Sequence, residues 1–218
     1  MDELRFDYLF ENWREVLVMA GDHLRLCLAA VGLALVVAVP LGMVAARFRG
    51  LTLPILSLLG VIYTVPSLAF LTFLIPTPLG IGRDNALVVL TAYAQLFLVR
   101  NIVAGLRGVD ASTLEAAQGI GMTPWQVFQR VRWPLALPVV LAGIRTAFVS
   151  TISLATIAGW INAGGLGPLL FNGISRDQPP MILAGAVAIV ALALLSDAVL
   201  RVAERWTAAA RAQRAGAR

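Results

Sequence analysis

The sequence predicts an all-α membrane protein of about five transmembrane helices, with a polar two-helix loop set between the third and the fourth. Three observations carry this. Of 218 residues, 59% are hydrophobic and only 13% charged, outside the range of ordinary soluble domains. Runs free of charge recur along the chain, each long enough to cross about 30 Å of hydrocarbon. All 17 basic residues are arginine, and they gather at the ends of those runs, where membrane topology needs them. A formal charge of +5 placed this way points to the lipid bilayer as partner and not to nucleic acid.

Residues 1–22 hold six of the twelve acidic residues but only Arg5 and Arg14. That is not the basic start of a signal peptide, and the segment is expected to be retained. Phe6, Leu9, Phe10, Trp13, Val16 and Leu17 recur at helical spacing. This suits either an amphipathic segment lying along the interface or a short helix packed on the protein's own outer face.

The first span lies between Arg25 and Arg47, with Pro40 expected to kink its far end. From Gly50 to Gly82 there is no charge, but Pro54, Pro66, Pro76 and Pro78 interrupt the run. One span is placed from about Leu53 to Ile75, facing protein, because proline in a membrane helix needs neighbours to satisfy the freed carbonyl. Tyr63, Thr64, Pro66 and Ser67 in its middle either line a pathway or serve helix packing. The third span runs from about Ala86 to Leu106, with Gln95 near its centre and Arg100 able to snorkel.

Between the third and fourth spans comes Ser112 to Pro134. Ser112 with Glu115 reads as a capping box that starts a short helix, and Gly119 and Gly121 supply its stop and a tight turn. Thr123, Pro124 and Gln126 restart a second helix, which is expected to end before Pro134. A compact knob of this kind, rich in small residues on one side, suits insertion into a groove on another protein.

The fourth span covers about Leu137 to Trp160 and contains Arg145, which must face a partner or a watery cavity, since lipid exposure costs at least about 2.5 kcal/mol. Thr146, Ser150, Thr151, Ser153 and Thr156 make the following turns hydroxyl-rich, for close helix packing or for a polar path. The Asn162 to Pro168 stretch, with Gly164, Gly165 and Gly167, reads as an outer gate or a simple loop. The fifth span runs from about Met181 to Ser196, and Asp197 is placed to pair with Arg201 at i,i+4. The domain reading is therefore an N-terminal segment 1–22, one transmembrane unit 23–206 with its loop at 112–134, and a tail 207–218.

Arginine placement sets the orientation. With the N-terminus outside, Arg47, Arg49, Arg100, Arg107, Arg130, Arg132 and the five from Arg201 onward fall inside, eleven against five outside. The loop and the tail are then cytoplasmic.

Chemistry of its own is not predicted. A phosphate-binding Gly-Lys-Ser/Thr loop cannot occur without lysine, so no ATP hydrolysis is expected of this chain. One histidine, His23, and one cysteine, Cys27, can form neither a metal cluster nor a nucleophile pair of the usual kind. His23 reads as structural.

Glu115-Ala116-Ala117, then Gly119, then Pro134 fifteen residues later resembles the EAA loop of ABC-transporter permeases. The resemblance implies the type I importer permease fold, in a bacterial inner membrane. It implies that Glu115, Ala116, Ala117, Gly119, Gly121 and Pro134 couple to an ATPase subunit, one of a dimer that binds ATP and Mg, while this chain holds no cofactor. A second permease subunit, identical or related, and an extracytoplasmic substrate-binding protein would complete the importer. Tyr63 to Ala69, Ala142 to Ala147, Ala155 to Ala158, Gly164 to Gly167, Ile182 to Ala186, and Asp197 with Glu204-Arg205 are similar to permeases for glycine betaine, carnitine and choline. Methionine and other amino-acid permeases share the size and the Gly-Gly-Leu-Gly run and are the second reading. A membrane subunit that moves nothing itself is a reading of another class. On the first, Tyr63, Pro66, Ser67, Gln95, Ser150, Ser153 and Thr156 are candidate pathway residues, and Gly164, Gly165 and Gly167 a candidate outer gate.

Overall fold

Small residues decide where the long helices of this protein meet. The computed structural model describes residues 7–205, and its long elements are α-helices. A short helix α1 (Asp7–Glu11) leads into α2 (Trp13–Arg47), followed by α3 (Arg49–Thr64), α4 (Ser67–Phe73) and α5 (Arg83–Arg107). The loop carries α6 (Ala111–Gly119) and α7 (Pro124–Val127), then come α8 (Trp133–Ala158), α9 (Gly167–Ser175) and α10 (Pro179–Arg205). On α2, Ala30, Ala34 and Ala38 recur every fourth residue, and all three are 0% exposed. A Cβ on Gly42 would sit 2.6 Å from Ile102 Cγ2, and one on Gly105 2.9 Å from the Ala136 carbonyl oxygen. Gly143 abuts Asn101 in the same way. Backbones can approach closely only where side chains are this small. In lipid, where apolar burial drives little association, close packing is what holds helices together.

Helix α5 is the axis, sandwiched between α2 and α8 and flanked by α3 and α4. Two apolar clusters stack along it. One joins Leu26, Leu90, Phe148 and Ile152; the other joins Leu59, Leu98, Ile102 and Val140. Polar side chains add ties across the α2–α5 seam. Thr91 Oγ1 donates to the Ala30 carbonyl at 3.2 Å and Gln95 Nε2 to that of Ala34 at 3.1 Å.

The sequence-based boundaries need four corrections. Helix α2 begins at Trp13, so the later part of the 1–22 segment runs directly into the first span, and it passes through Pro40 without interruption. Its first turns are amphipathic: Val16 packs with Leu166, Leu169 and Met181, while Trp13 and Leu17 are exposed, as is Phe10 on α1. Phe6 lies outside the described residues, as do Arg5 and the tail 207–218. The expected Leu53–Ile75 span is broken: α3 and α4 meet at 88°. Pro66 has no N–H to donate and disfavours helix at the residue before it, and Val65 is accordingly extended at φ −63°, ψ 129°.

The second loop helix does not end before Pro134. It widens into a π turn over Phe128–Arg132 and continues as α8, with Pro134 in the first turn of the new segment. A π turn gives room at the point where a proline ring would clash with the carbonyl four residues back. The last helix extends to Arg205, beyond the expected Ser196. Among the described residues, four helices are long and apolar enough to cross a membrane, and the bent α3–α4 pair is a fifth if it counts as one span.

Candidate functional site

The loop after α5 is built from caps at both of its helices. Asp110, not Ser112, is the N-cap of α6: its Oδ1 accepts the Ser112 N–H and the Ser112 hydroxyl, both at 2.7 Å. A carboxylate two residues ahead outcompetes the serine, because the anion also meets the positive end of the helix. These bonds, the hydroxyl one first, hold the Asp110 carboxyl below the usual carboxylate range. Glu115 is therefore not used as a capping partner. It stands exposed, with no partner among the described residues, beside exposed Ala116, while Ala117 is turned inward.

Gly121 at φ +87° ends α6, with its N–H donating to Gln118 and that of Met122 to Ala117, a Schellman closure. Gly119 is the last helical residue, so the stop falls to Gly121 alone. The Thr123–Gln126 capping box forms as predicted, with Gln126 Oε1 accepting the Thr123 N–H at 2.9 Å. Trp125 stacks on Phe128 with centroids 5.6 Å apart, and Phe128 leans on Trp133 at 6.0 Å. Beneath the knob, Arg132 Nε donates to the Leu106 carbonyl at 2.8 Å, and Arg107 Nη2 to Ala45 at 2.8 Å and Thr52 Oγ1 at 2.6 Å. The loop is a capped knob bolted through Arg132 to the end of α5, which Arg107 in turn ties to the end of α2, with Ile120 (77% exposed) and Trp125 (61%) at its surface.

A second feature lies at the break between α3 and α4. Here the Tyr93 hydroxyl donates to the Val65 carbonyl, one of the backbone groups that Pro66 leaves without a helical partner. Tyr63 meets Tyr93 edge-on at 5.5 Å and Phe97 at 5.2 Å, and Phe70 lies 6.1 Å from Tyr93. Tyr63, Pro66 and Ser67 are thus brought together at a partly exposed aromatic cluster. Gln95 is not: it is buried on another face of α5, bonded to Ala34. On α8, Ser153 is exposed and Ser150 half-buried, whereas Thr156 is buried with its hydroxyl donating to Ile152.

The glycine-rich stretch between α8 and α9 is clamped. His23, 0% exposed, accepts the Leu166 N–H on Nδ1 at 3.2 Å and reaches the Ile152 carbonyl with Nε2 at 3.0 Å. An N–H can only donate and a carbonyl only accept, so the ring is neutral with its proton on Nε2. Gly164 and Gly165 take positive φ, and a Cβ on Gly165 would lie 2.8 Å from His23 Nδ1. Gly167 is pressed against the Thr156 carbonyl and Gly159. The sequence marked His23 as structural but carried no signal for this three-way tie.

Arg145 finds its partners on α10. It lies 3.4 Å from Asp197 and 3.6 Å from Glu204, and Asp197 also takes Arg201 at 2.6 Å, the predicted i,i+4 pair. No grouping of three or more His, Cys, Asp or Glu side chains suited to a metal occurs among the described residues.

Comparison with known proteins adds the following. A family model described as the binding-protein-dependent transport system inner membrane component matches residues 38–209. The chain is 44% identical over 207 residues to the choline transport system permease protein OpuBB of Bacillus subtilis, covering 95% of each. It is 42% identical over 198 residues to the glycine betaine/carnitine/choline transport system permease protein OpuCB of the same organism, covering 91% of each. Against the osmoprotectant import permease protein OsmW of Salmonella typhimurium it is 40% identical, covering 88% of this chain and 92% of that one. Among solved structures, a chain of the MetNI methionine ABC transporter in inward-facing conformations superimposes with a TM-score of 0.75 at 21% identity, covering 87% of this chain and 95% of that one. A chain of an amino acid ABC transporter with histidines gives 0.71 at 22% identity, covering 92% and 98%. At these identities the structural likeness speaks for the fold alone.

Proposed function

The chain belongs to the family of binding-protein-dependent transport system inner membrane components, and on that premise we propose that it is the permease subunit of an ATP-driven importer of glycine betaine, choline or carnitine. The observation that carries this reading is the knob between α5 and α8. It is capped at both helices and presents Glu115 and Ala116 outward with no partner among the described residues. In this reading Glu115, Ala116, Gly119 and Gly121 seat in a cleft of an ATPase subunit, Ala117 packs inward to hold the knob's shape, and the continuous helix through Pro134 carries the push into α8. Two permease chains and two ATPases form the importer, and ATP and Mg belong to the ATPases. A rigid lever of this kind transmits a rigid-body displacement between two packed states. The N-terminus is outside and the loop cytoplasmic, as the arginine count supports.

The substrate class rests on relatives at 40–44% identity whose names carry choline, glycine betaine or osmoprotectant transport. A quaternary ammonium group is held by aromatic faces. Tyr63, Phe70, Tyr93 and Phe97 at the proline break supply such faces, with Tyr63 38% exposed. Ser67 there, and Ser150 and Ser153 on α8, are proposed to line the same path. Gly164, Gly165 and Gly167 are proposed as its outer closure.

The test is uptake of radiolabelled glycine betaine into vesicles carrying this chain, its ATPase and its binding protein. ATP-dependent uptake blocked by excess choline but not by methionine is expected. Methionine uptake in its place would move the substrate to amino acids. An active ATPase with no solute movement of either kind would favour a non-transporting subunit.

A further inference from the structure

Four helix ends meet at the loop side of the bundle, and each brings an arginine. Arg47 closes α2, Arg49 opens α3, Arg107 closes α5 and Arg132 precedes α8. All four line one recess of about 380 Å³, whose remaining wall is Ala46, Val109, Ala111 and Leu114. No carboxylate of the described residues lies within ion-pair distance of any of them. The acid beside the recess, Asp110, is occupied by Ser112. Arg107 and Arg132 are held in place by backbone carbonyls of Ala45, Ala46 and Leu106, which aims their guanidinium groups without neutralising them. Four like charges lining one recess repel one another, and an anion seated among them relieves that repulsion.

We propose that this recess binds the phosphate of an anionic phospholipid head group in the leaflet on the loop side. Guanidinium forks match phosphate oxygens two at a time, which a diffuse basic surface does not. A lipid is favoured over a soluble anion by what borders the arginines. Phe48, just before α3, is 54% exposed, and Leu51 (45%) and Leu58 (62%) lie seven residues apart on one exposed face of α3, so an apolar strip for acyl chains leads away from the charged recess. The charge is also on the side where cytoplasmic anionic lipids gather. This inference rests on the membrane orientation proposed above. It adds a bound lipid at the base of the knob, where it would brace the joint between α2, α5 and α8.

The full-length chain, purified in detergent, is titrated with phosphatidylglycerol, phosphatidylcholine and inorganic phosphate, and bound species are read by native mass spectrometry. A phosphatidylglycerol adduct that phosphatidylcholine does not form, and that millimolar phosphate does not displace, is expected. Arg47→Gln and Arg49→Gln, which spare the two arginines that hold helix ends, should each weaken it about fivefold. Arg130→Gln removes the same charge from the same end of the molecule but outside the recess, and should leave it unchanged; if one of the two recess variants fails to fold, the other serves. Equal binding of phosphatidylcholine, undiminished binding by the variants, or an equal loss in Arg130→Gln would overturn the proposal. Displacement by phosphate would make the recess a soluble-anion site, and expulsion of the lipid on adding the ATPase would make it a protein surface; either result also overturns it. No transport step enters this assay, so a failed uptake experiment and a failed lipid titration are separate results.

Discussion

His23 on α2 and Ile152 on α8 are joined by a 3.0 Å bond from the imidazole Nε2–H to the backbone carbonyl, and the other ring nitrogen holds the Leu166 N–H. One neutral side chain thereby spans three segments that lie far apart in sequence. His23→Ala leaves the buried Leu166 N–H unpaired and opens a cavity, at a cost of about 2–3 kcal/mol. Thermal unfolding of the purified chain should show the loss. An unchanged melting temperature would mean that the tie contributes nothing.

Gly165 faces the same ring at φ +76°. In Gly165→Ala the methyl meets His23 and the backbone is strained, so a loss of about 1–3 kcal/mol is expected. The double variant with His23→Ala should recover part of it, because the clash disappears while the strain stays. A double-mutant cycle on melting temperature reads the coupling.

Arg145 and Asp197 are each about a quarter exposed, so their attraction is screened less than a surface pair and more than a buried one. Asp197→Asn should lower the melting temperature modestly, with Glu204 still holding Arg145. Removing both carboxylates should cost more than the sum of the single changes, since Arg145 would then stand unpaired within a span. Protein yield in the membrane and unfolding in detergent check this.

On the loop, Glu115→Arg and Gly119→Pro are expected to abolish ATP-dependent uptake while the chain still reaches the membrane in normal amount. The first reverses a charge that has no partner among the described residues; the second places a ring in the last turn of α6. Uptake at the wild-type rate in both would remove the knob from the mechanism.

Asp110 gives a pH signature. Its carboxyl is held below the ordinary aspartate value, so its capping bonds are present above that value and are lost as pH falls through the lowered one. Protection of the Ser112 amide against hydrogen exchange should stay constant down to about pH 4 and fall only below it. Asp110→Asn keeps an acceptor oxygen and should make that protection independent of pH over the same range. Protection that fades already near neutral pH would contradict the assignment.

The spans, the knob and the demand for an ion-pair partner at Arg145 were legible because each rests on chemistry within a turn or two of chain. Charge-free length, a Thr-Pro-x-Gln box and a lone cation in an apolar run carry their meaning locally. The same local reading takes Ser112 as the cap because Ser-x-x-Glu fits a known box, and passes over Asp110, which stands two residues earlier and brings charge as well as an acceptor. It ended a helix at Pro134 because proline forbids an ordinary α turn. A π turn at Phe128–Arg132 lets the helix pass instead.

What the sequence determined by itself is thus an all-helical chain with apolar runs of membrane-spanning length, and the capped polar loop between the runs that became α5 and α8. Tertiary structure alone decided that Arg145 meets Asp197 and Glu204, that Tyr93 covers the carbonyl at the proline break, that His23 locks the glycine turn, and that four arginines share one recess. The physical reason is one of range. Backbone hydrogen bonding and hydrophobic length act within a few residues, whereas these pairings depend on how closely α2, α5 and α8 can approach. That distance is set by Ala30, Ala34, Gly42, Gly105 and Gly143 acting together across three helices.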